Sequence, residues 1–367
     1  MSSHPSSWPE AVRSDHCSAA NPQLHQAARM NAVNHQIRLA ARPVGVPTPS
    51  DWKLTTEAVP VPGPGEFIVA VAYLSVDPAM LTWINATSSF VEPIAIGAVM
   101  DTAAVGRVTS SDHPEFEVGD HVYGAFRVQE FARSDGDGVT KLDPLLAPLP
   151  TYLGALGITG LTAYFGVLDV GRIREGDTVV VSGAAGAVGS VAGQISKIKG
   201  CRAIGIAGGP EKCRWITEDL GFDAAIEYRS EDVGRALREH APDGVDLFFD
   251  NVGGEILDTV LTQLARGARI VLSGAVSQYT PDQVRGPSNY LSLIGARASM
   301  IGFLTPDYAE RYPPSGPGGT RCVAPRGPAD LARRRPRGWC SRLPGRATQA
   351  VRRRKHWQAA TCRAMKQ

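Results

Sequence analysis

Three glycines at three-residue intervals, Gly183, Gly186 and Gly189, follow the β-branched run from Thr178 to Ser182. They precede a stretch in which Val188, Val191, Ile195 and Ile198 recur at helical steps. A strand that runs into a glycine turn and then a helix aims unpaired N–H groups and the positive end of the helix dipole at the turn, where a phosphate is stabilised. The chemistry expected is capture of a dinucleotide pyrophosphate. The plain alternative is an ordinary strand–glycine–helix turn, because this glycine spacing taken alone is a weak signal.

Two further groups of residues bear on which dinucleotide and which reaction. The next strand ends in Ala207-Gly208-Gly209-Pro210-Glu211-Lys212, with no acid at its tip to accept an adenosine 2′-hydroxyl. Lys212 stands where it could hold a 2′-phosphate, so the cofactor expected is NADPH; otherwise Glu211 and Lys212 simply open a solvated helix. Later come Asp250-Asn251-Val252-Gly253-Gly254 and Ser273-Gly274-Ala275-Val276-Ser277-Gln278-Tyr279, each closing an apolar run. Asn251 offers an amide and Tyr279 a phenolic proton beside a hydride path. Turn capping is the competing reading, and for Asn251 alone it is the better one.

Metal-assisted reduction would call for Cys and His ligands. The segment where the first is sought reads Leu74-Ser75-Val76-Asp77-Pro78-Ala79-Met80, with neither, so a zinc-free reductase is expected. Cys17, Cys201 and Cys213 show no paired spacing, and the other three cysteines fall near the C-terminus. That pattern points to no disulfide framework and to a reducing cytoplasm.

The elements that must position these residues follow from the texture of the chain. From Ile37 to Lys141, short apolar runs such as 67–71 and 105–108 are divided by Pro and Gly turns, predicting a β-rich, partly barrel-like domain. After Pro150, six strands are expected at 178–182, 203–207, 224–228, 245–249, 268–272 and 298–303, with helical connections. The fold class is therefore α/β, a Rossmann-type doubly wound parallel sheet beside a β-rich domain, with ligand at the carboxyl ends of the parallel strands. The uncharged stretch 151–168 reads as buried turns and helix at the domain junction, too rich in Gly and Thr for a membrane span.

The 367 residues allow two domains with sizeable cores. The net charge of +2 conceals an asymmetry: residues 314–367 carry 12 Arg and 2 Lys against the single acid Asp330, which leaves the remainder at −11. An acidic body of this kind has no broad basic face for nucleic acid. Residues 1–29 are polar, without the apolar stretch of a secretory signal, and Met30 is a candidate start.

Five strings in order, YLSVDPAM (73–80), AAGAVGSVAGQI (184–195), GIAGGPEKC (205–213), FFDNVGGEILD (248–258) and SGAVSQY (273–279), resemble the zinc-independent medium-chain dehydrogenases/reductases. The branch is that of prostaglandin reductase, leukotriene B4 12-hydroxydehydrogenase and bacterial curcumin reductase, and the resemblance covers about Asn34 to Pro313. It implies a GroES-like substrate domain at 30–150, an NADPH-binding Rossmann domain at 151–304, a return to the substrate domain from 305, and a homodimer. The activity implied is NADPH-dependent reduction of the C=C bond of an α,β-unsaturated aldehyde or ketone, with hydride passing to the β-carbon. By the same resemblance Gly186, Ala187, Val188, Gly189 and Ser190 would hold the pyrophosphate, Lys212 the 2′-phosphate, and Tyr228 the adenosine ribose. Asn251, the loop Ser273 to Tyr279, and Phe303, Leu304 and Thr305 would line the nicotinamide side, with Tyr279 polarising or protonating the substrate. Two departures, Leu81 where the branch commonly has Arg and the neutral segment 93–98, fall in the substrate domain. Rival readings are a quinone reductase on the same scaffold and a non-catalytic NADPH-binding relative.

Beyond Pro314 the patterning stops, and Arg, Pro and Gly dominate. A basic tail with a nucleic-acid patch at 352–357 is one reading. The preferred expectation is a one-nucleotide frameshift near Pro313 or Pro314. Trp357-Gln358, read one base later, must encode Gly followed by Lys or Arg, and Met365-Lys366 then contains a stop codon. The shifted frame permits an ending like that of the resembled family.

Overall fold

Apolar residues alternate or run together where the strands form, and turn residues divide them. The computed structural model describes residues 33–86, 92–280 and 284–311. The proposed extension 1–29 and the arginine-rich segment beyond 314 lie outside these residues.

The N-terminal half holds β1 (Val33–Leu39), β2 (Trp52–Ala58), β3 (Phe67–Leu74), the single-turn α1 (Met80–Trp83), β4 (Ala104–Ser111), β5 (His121–Gly124), β6 (Phe131–Ser134) and β7 (Thr140–Leu142). β1 and β2 form a hairpin-like antiparallel pair, and the others make a five-stranded antiparallel sheet in the order β6-β3-β4-β5-β7. β1 also exchanges backbone bonds with the segments around Met100 and Val128, which curls the structure toward a barrel. Its core is built on Leu39, Phe67, Val69, Met100 and Val122, none of them exposed to solvent.

A junction follows, with α2 (Ile158–Phe165) continuing into the wide turn Gly166–Val170. The chain then alternates: β8 (Thr178–Ser182), α3 (Ala187–Ile198), β9 (Arg202–Ala207), α4 (Pro210–Arg214), β10 (Ala224–Glu227), α5 (Val233–His240), β11 (Val245–Asp250), α6 (Gly254–Leu261), β12 (Leu264–Leu272), α7 (Ser292–Ala296) and β13 (Ser299–Gly302). The six strands pair in parallel in the order β10-β9-β8-β11-β12-β13. Val179, Val180 and Val181 of β8 are all fully buried, as a central strand covered by helices on both faces requires. The order in which the chain adds strands reverses between β8 and β11, the point at which doubly wound folds bind ligand.

The helix after the glycine turn packs differently from the expected stripe. Ile195 is buried and Val188 and Val191 are partly so, but Ile198 is 39% exposed. The buried face of α3 includes Gly189, Ala192, Gly193 and Ser196, with the ring of Phe222 filling the space beside Gly193. Small residues bring the helix axis nearer the strands than a row of large side chains would allow.

The last described turn, Thr305–Arg311, folds back on α2. Tyr308 stacks on Phe165 with ring centres 4.5 Å apart, Arg311 lies over the Phe165 ring and pairs with Asp169 at 2.9 Å, and the hydroxyls of Thr162 and Thr305 bond at 2.6 Å. Among the described residues no helix is long and apolar enough to cross a membrane.

Candidate active site at the carboxyl ends of the parallel strands

Ser182, the last residue of β8, is fully buried, and the turn after it is fastened by Ala184 N–H to the Ile206 carbonyl (3.1 Å) and Gly186 N–H to the Gly183 carbonyl (2.8 Å). Gly186 caps α3 with extended backbone and no side-chain cap, so the first-turn N–H groups of Ala187, Val188 and Gly189 receive no side-chain acceptor. A Cβ at Gly189 would stand 2.4 Å from the Gly183 carbonyl oxygen, so only glycine lets the helix start this close to the strand. Ser190 is buried one residue further on, its hydroxyl turned to the Ala187 carbonyl at 3.3 Å. An uncapped helix start above a side-chain-free cradle suits a phosphate group.

Asp250, at the end of β11, organises the neighbouring loops. Its carboxylate is wholly buried and accepts the Ser182 hydroxyl at 2.6 Å, Val252 N–H at 3.0 Å and Gly253 N–H at 3.1 Å. Burial pushes its pKa above the usual carboxylate range, and these donors pull it partly back. Its backbone carbonyl accepts Ser273 N–H and Gly274 N–H, at 2.8 and 3.1 Å. Asn251 donates its backbone N–H to the Ser182 hydroxyl (2.8 Å) and its side-chain amide to the Ser182 carbonyl (2.7 Å). That amide therefore ties the end of β11 to the end of β8, a bond between strands that neither the catalytic nor the turn-capping reading anticipated.

The loop after β12 is laid against the same corner. Val276 N–H reaches the Asn251 carbonyl, and the backbone N–H and hydroxyl of Ser277 both reach the Val252 carbonyl. Ala275 N–H donates to the Tyr279 phenol oxygen at 3.2 Å, which fixes the ring and leaves the phenol's own proton to be donated elsewhere. Burial raises the Tyr279 pKa from its ordinary 10.0, the Ala275 N–H pulls it partly back, and the charges of Asp77 and Asp250 add to the rise, so the phenol is protonated through the neutral range as an ordinary tyrosine is. Gln278 is half-buried, and its side-chain carbonyl accepts Arg285 N–H at 2.9 Å.

Two residues of the N-terminal half reach this corner. Asn85 donates to the Tyr279 carbonyl at 3.4 Å, and Asp77 accepts Ala79 N–H at 2.8 Å. Burial pushes the Asp77 carboxyl up from its ordinary 3.8, offset in part by the Ala79 N–H. Leu81 packs against the core of the first sheet.

The other sequence-derived positions divide into two groups. Lys212 on α4 and Tyr228 just past β10 are exposed at the far end of the sheet edge, away from the loop corner. Phe303 packs against Gly166 and Tyr308, Leu304 is 45% exposed, and Thr305 is buried against Thr162. The sequence reading gave no role to Ser182 or Asp250. The signal available was an acid, Asp250, ending the apolar run Leu247 to Phe249, but its partner Ser182 lies 68 residues earlier.

Comparison with known proteins agrees with this arrangement. Residues 35–142 match the family model described as the N-terminal domain of oxidoreductase, and residues 187–315 match that described as zinc-binding dehydrogenase. The putative NADP-dependent oxidoreductase YfmJ of Bacillus subtilis is 46% identical over 287 residues, which covers 77% of this chain and 84% of the relative. The NADPH-dependent curcumin reductase of Escherichia coli is 40% identical over 76% of this chain and 82% of the relative. The chain belongs to the medium-chain dehydrogenases/reductases.

Within that family, rat prostaglandin reductase 1 is 41% identical over 71% of this chain and 78% of its own length. The crystal structure of CurA from Vibrio vulnificus in complex with NADPH superposes with a TM-score of 0.71 at 42% identity, covering 76% of this chain and 84% of that one. These relatives place the chain in the prostaglandin reductase and curcumin reductase branch of the medium-chain reductases. Among the described residues no group of three or more His, Cys, Asp or Glu side chains is placed to hold a metal ion.

Proposed function

We propose that this protein is an oxidoreductase using NADPH to reduce the C=C bond of α,β-unsaturated aldehydes or ketones. The reading is supported by relatives that include an NADP-dependent 2-alkenal reductase of Nicotiana tabacum, 38% identical over 76% of this chain. The observation that carries it is the Tyr279 phenol, held by Ala275 N–H at the corner where β8, β11 and β12 end, with its own proton left to donate.

The uncapped start of α3 and the Gly189 cradle hold the pyrophosphate, Lys212 and Tyr228 take the adenosine end, and Asn251, the loop 273–279 and residues 303–305 flank the nicotinamide. Bound there, the reduced nicotinamide supplies a hydride. The chain's own part is to stabilise the charge that develops on the substrate carbonyl oxygen. Tyr279 donates its proton toward that oxygen, while Ala275 N–H fixes the ring angle and Asp250, through Ser273 and Gly274, fixes the loop. Asn85, just past α1 in the N-terminal half, braces Tyr279 through its carbonyl. We further infer a cytoplasmic homodimer divided at about residues 150 and 304.

Oxidation of NADPH with panels of 2-alkenals, 2-alkenones and quinones tests the substrate class, and turnover confined to quinones would overturn it. Tyr279→Phe is expected to lower kcat by about a hundredfold with NADPH affinity held. An unchanged kcat would remove Tyr279 from the chemistry.

A further inference from the structure

Arg229 was given no role by the sequence, yet it occupies the corner where the adenosine ribose would lie. β9 and β10 run in parallel with Ala207 paired to Glu227, and Tyr228 N–H donates to the Ala207 carbonyl at 3.2 Å. Gly208 and Tyr228 therefore leave the sheet side by side. A Cβ on Gly208 would fall 2.8 Å from the Tyr228 ring and 3.0 Å from Arg229 Nε, so the bare glycine is what lets both side chains lie across the strand tip. The guanidinium sits over the Tyr228 ring, 5.8 Å from its centre. Among the described residues it makes no salt bridge.

An acid also stands here, but it is engaged. Glu227 is 8% exposed and accepts Gly209 N–H at 2.6 Å, Arg229 N–H at 3.3 Å and the Ser230 hydroxyl at 2.5 Å. The Ser230 hydroxyl and these backbone donors hold its pKa below the usual carboxylate range. The carboxylate fastens the loop that starts α4 and presents Arg229, instead of facing a ribose. The corner thus offers an exposed planar cation, a supporting aromatic ring, and Lys212 on the helix packed against both strands. A guanidinium suits a phosphate dianion because its fork can donate two parallel hydrogen bonds.

We propose that Arg229, steadied over Tyr228 beside the side-chain-free Gly208, is a second cation for the adenosine 2′-phosphate and shares with Lys212 the discrimination against the unphosphorylated cofactor. This rests on the NADPH reading above. The two are separated by titrating the full chain calorimetrically with 2′,5′-ADP and with 5′-AMP, which differ by that phosphate alone.

Wild type is expected to prefer 2′,5′-ADP, and Arg229→Gln to cut that preference about tenfold while 5′-AMP binding stays the same. Arg229→Lys should recover part of the loss. A wild-type chain with no preference overturns both the cofactor reading and this inference. A wild-type preference that Lys212→Gln reduces and Arg229→Gln leaves intact overturns the inference alone. Equal weakening of both nucleotides by Arg229→Gln also overturns it, since that marks a damaged loop and not a lost phosphate contact.

Discussion

Asp77 and Tyr279 come from loops of the two different halves of the chain, and the charge of Asp77 bears on Tyr279. The folded protein holds the Asp77 carboxyl above its ordinary 3.8, so folding favours the protonated form. The stabilising contribution is then complete below the unfolded-state value and is lost as the pH rises through the folded-state one. Asp77→Asn keeps an acceptor for Ala79 N–H and carries no charge at any pH. It should melt at a higher temperature than wild type at pH 7, with the gap closing as the pH approaches 4; melting curves from pH 4 to 8 check this, and coincident curves would refute it. At this scale the sequence singled out Tyr279 and Lys212 as candidates because their residue types advertise a proton and a charge. It did not disclose Asp250 or Arg229, whose surroundings depend on which strands lie side by side.

The parallel sheet was legible as elements because each strand is a short apolar run ended by turn residues. The six expected strands differ from those observed by a few residues at their ends. The inner face of α3 was harder to read, since hydropathy rewards Val and Ile whereas the packing there rests on Gly, Ala and Ser. Loop placement was harder still, because one buried carboxylate sets it. Removing that carboxylate leaves the Ser182 hydroxyl and two backbone N–H groups without their acceptor. Asp250→Ala should cost about 2–4 kcal/mol in urea unfolding and weaken NADPH binding in parallel. A loss of stability within experimental error would show that water replaces the carboxylate.

Over the whole molecule, the sequence divides into an acidic body and an arginine-rich end. The family match stops at residue 315, where the patterned sequence stops as well. If a single base has been gained or lost near codon 313, resequencing will show it. The repaired chain should then bind NADPH more tightly and melt higher than the chain as written, because a restored segment would cover apolar surface of the N-terminal half. Identical affinity and melting temperature would count against the frameshift, and salt-sensitive DNA binding abolished by truncation at Pro313 would favour the basic-tail reading.

All six parallel strands are encoded before residue 303. During translation the whole sheet is therefore made before the ribosome reaches the codons for the arginine-rich end, and domains fold as units as they emerge. A reading error in those last codons, if there is one, would leave the nucleotide fold already assembled and strip cover only from the N-terminal half, a change expected to give a polypeptide that accumulates in the cell yet turns over little substrate.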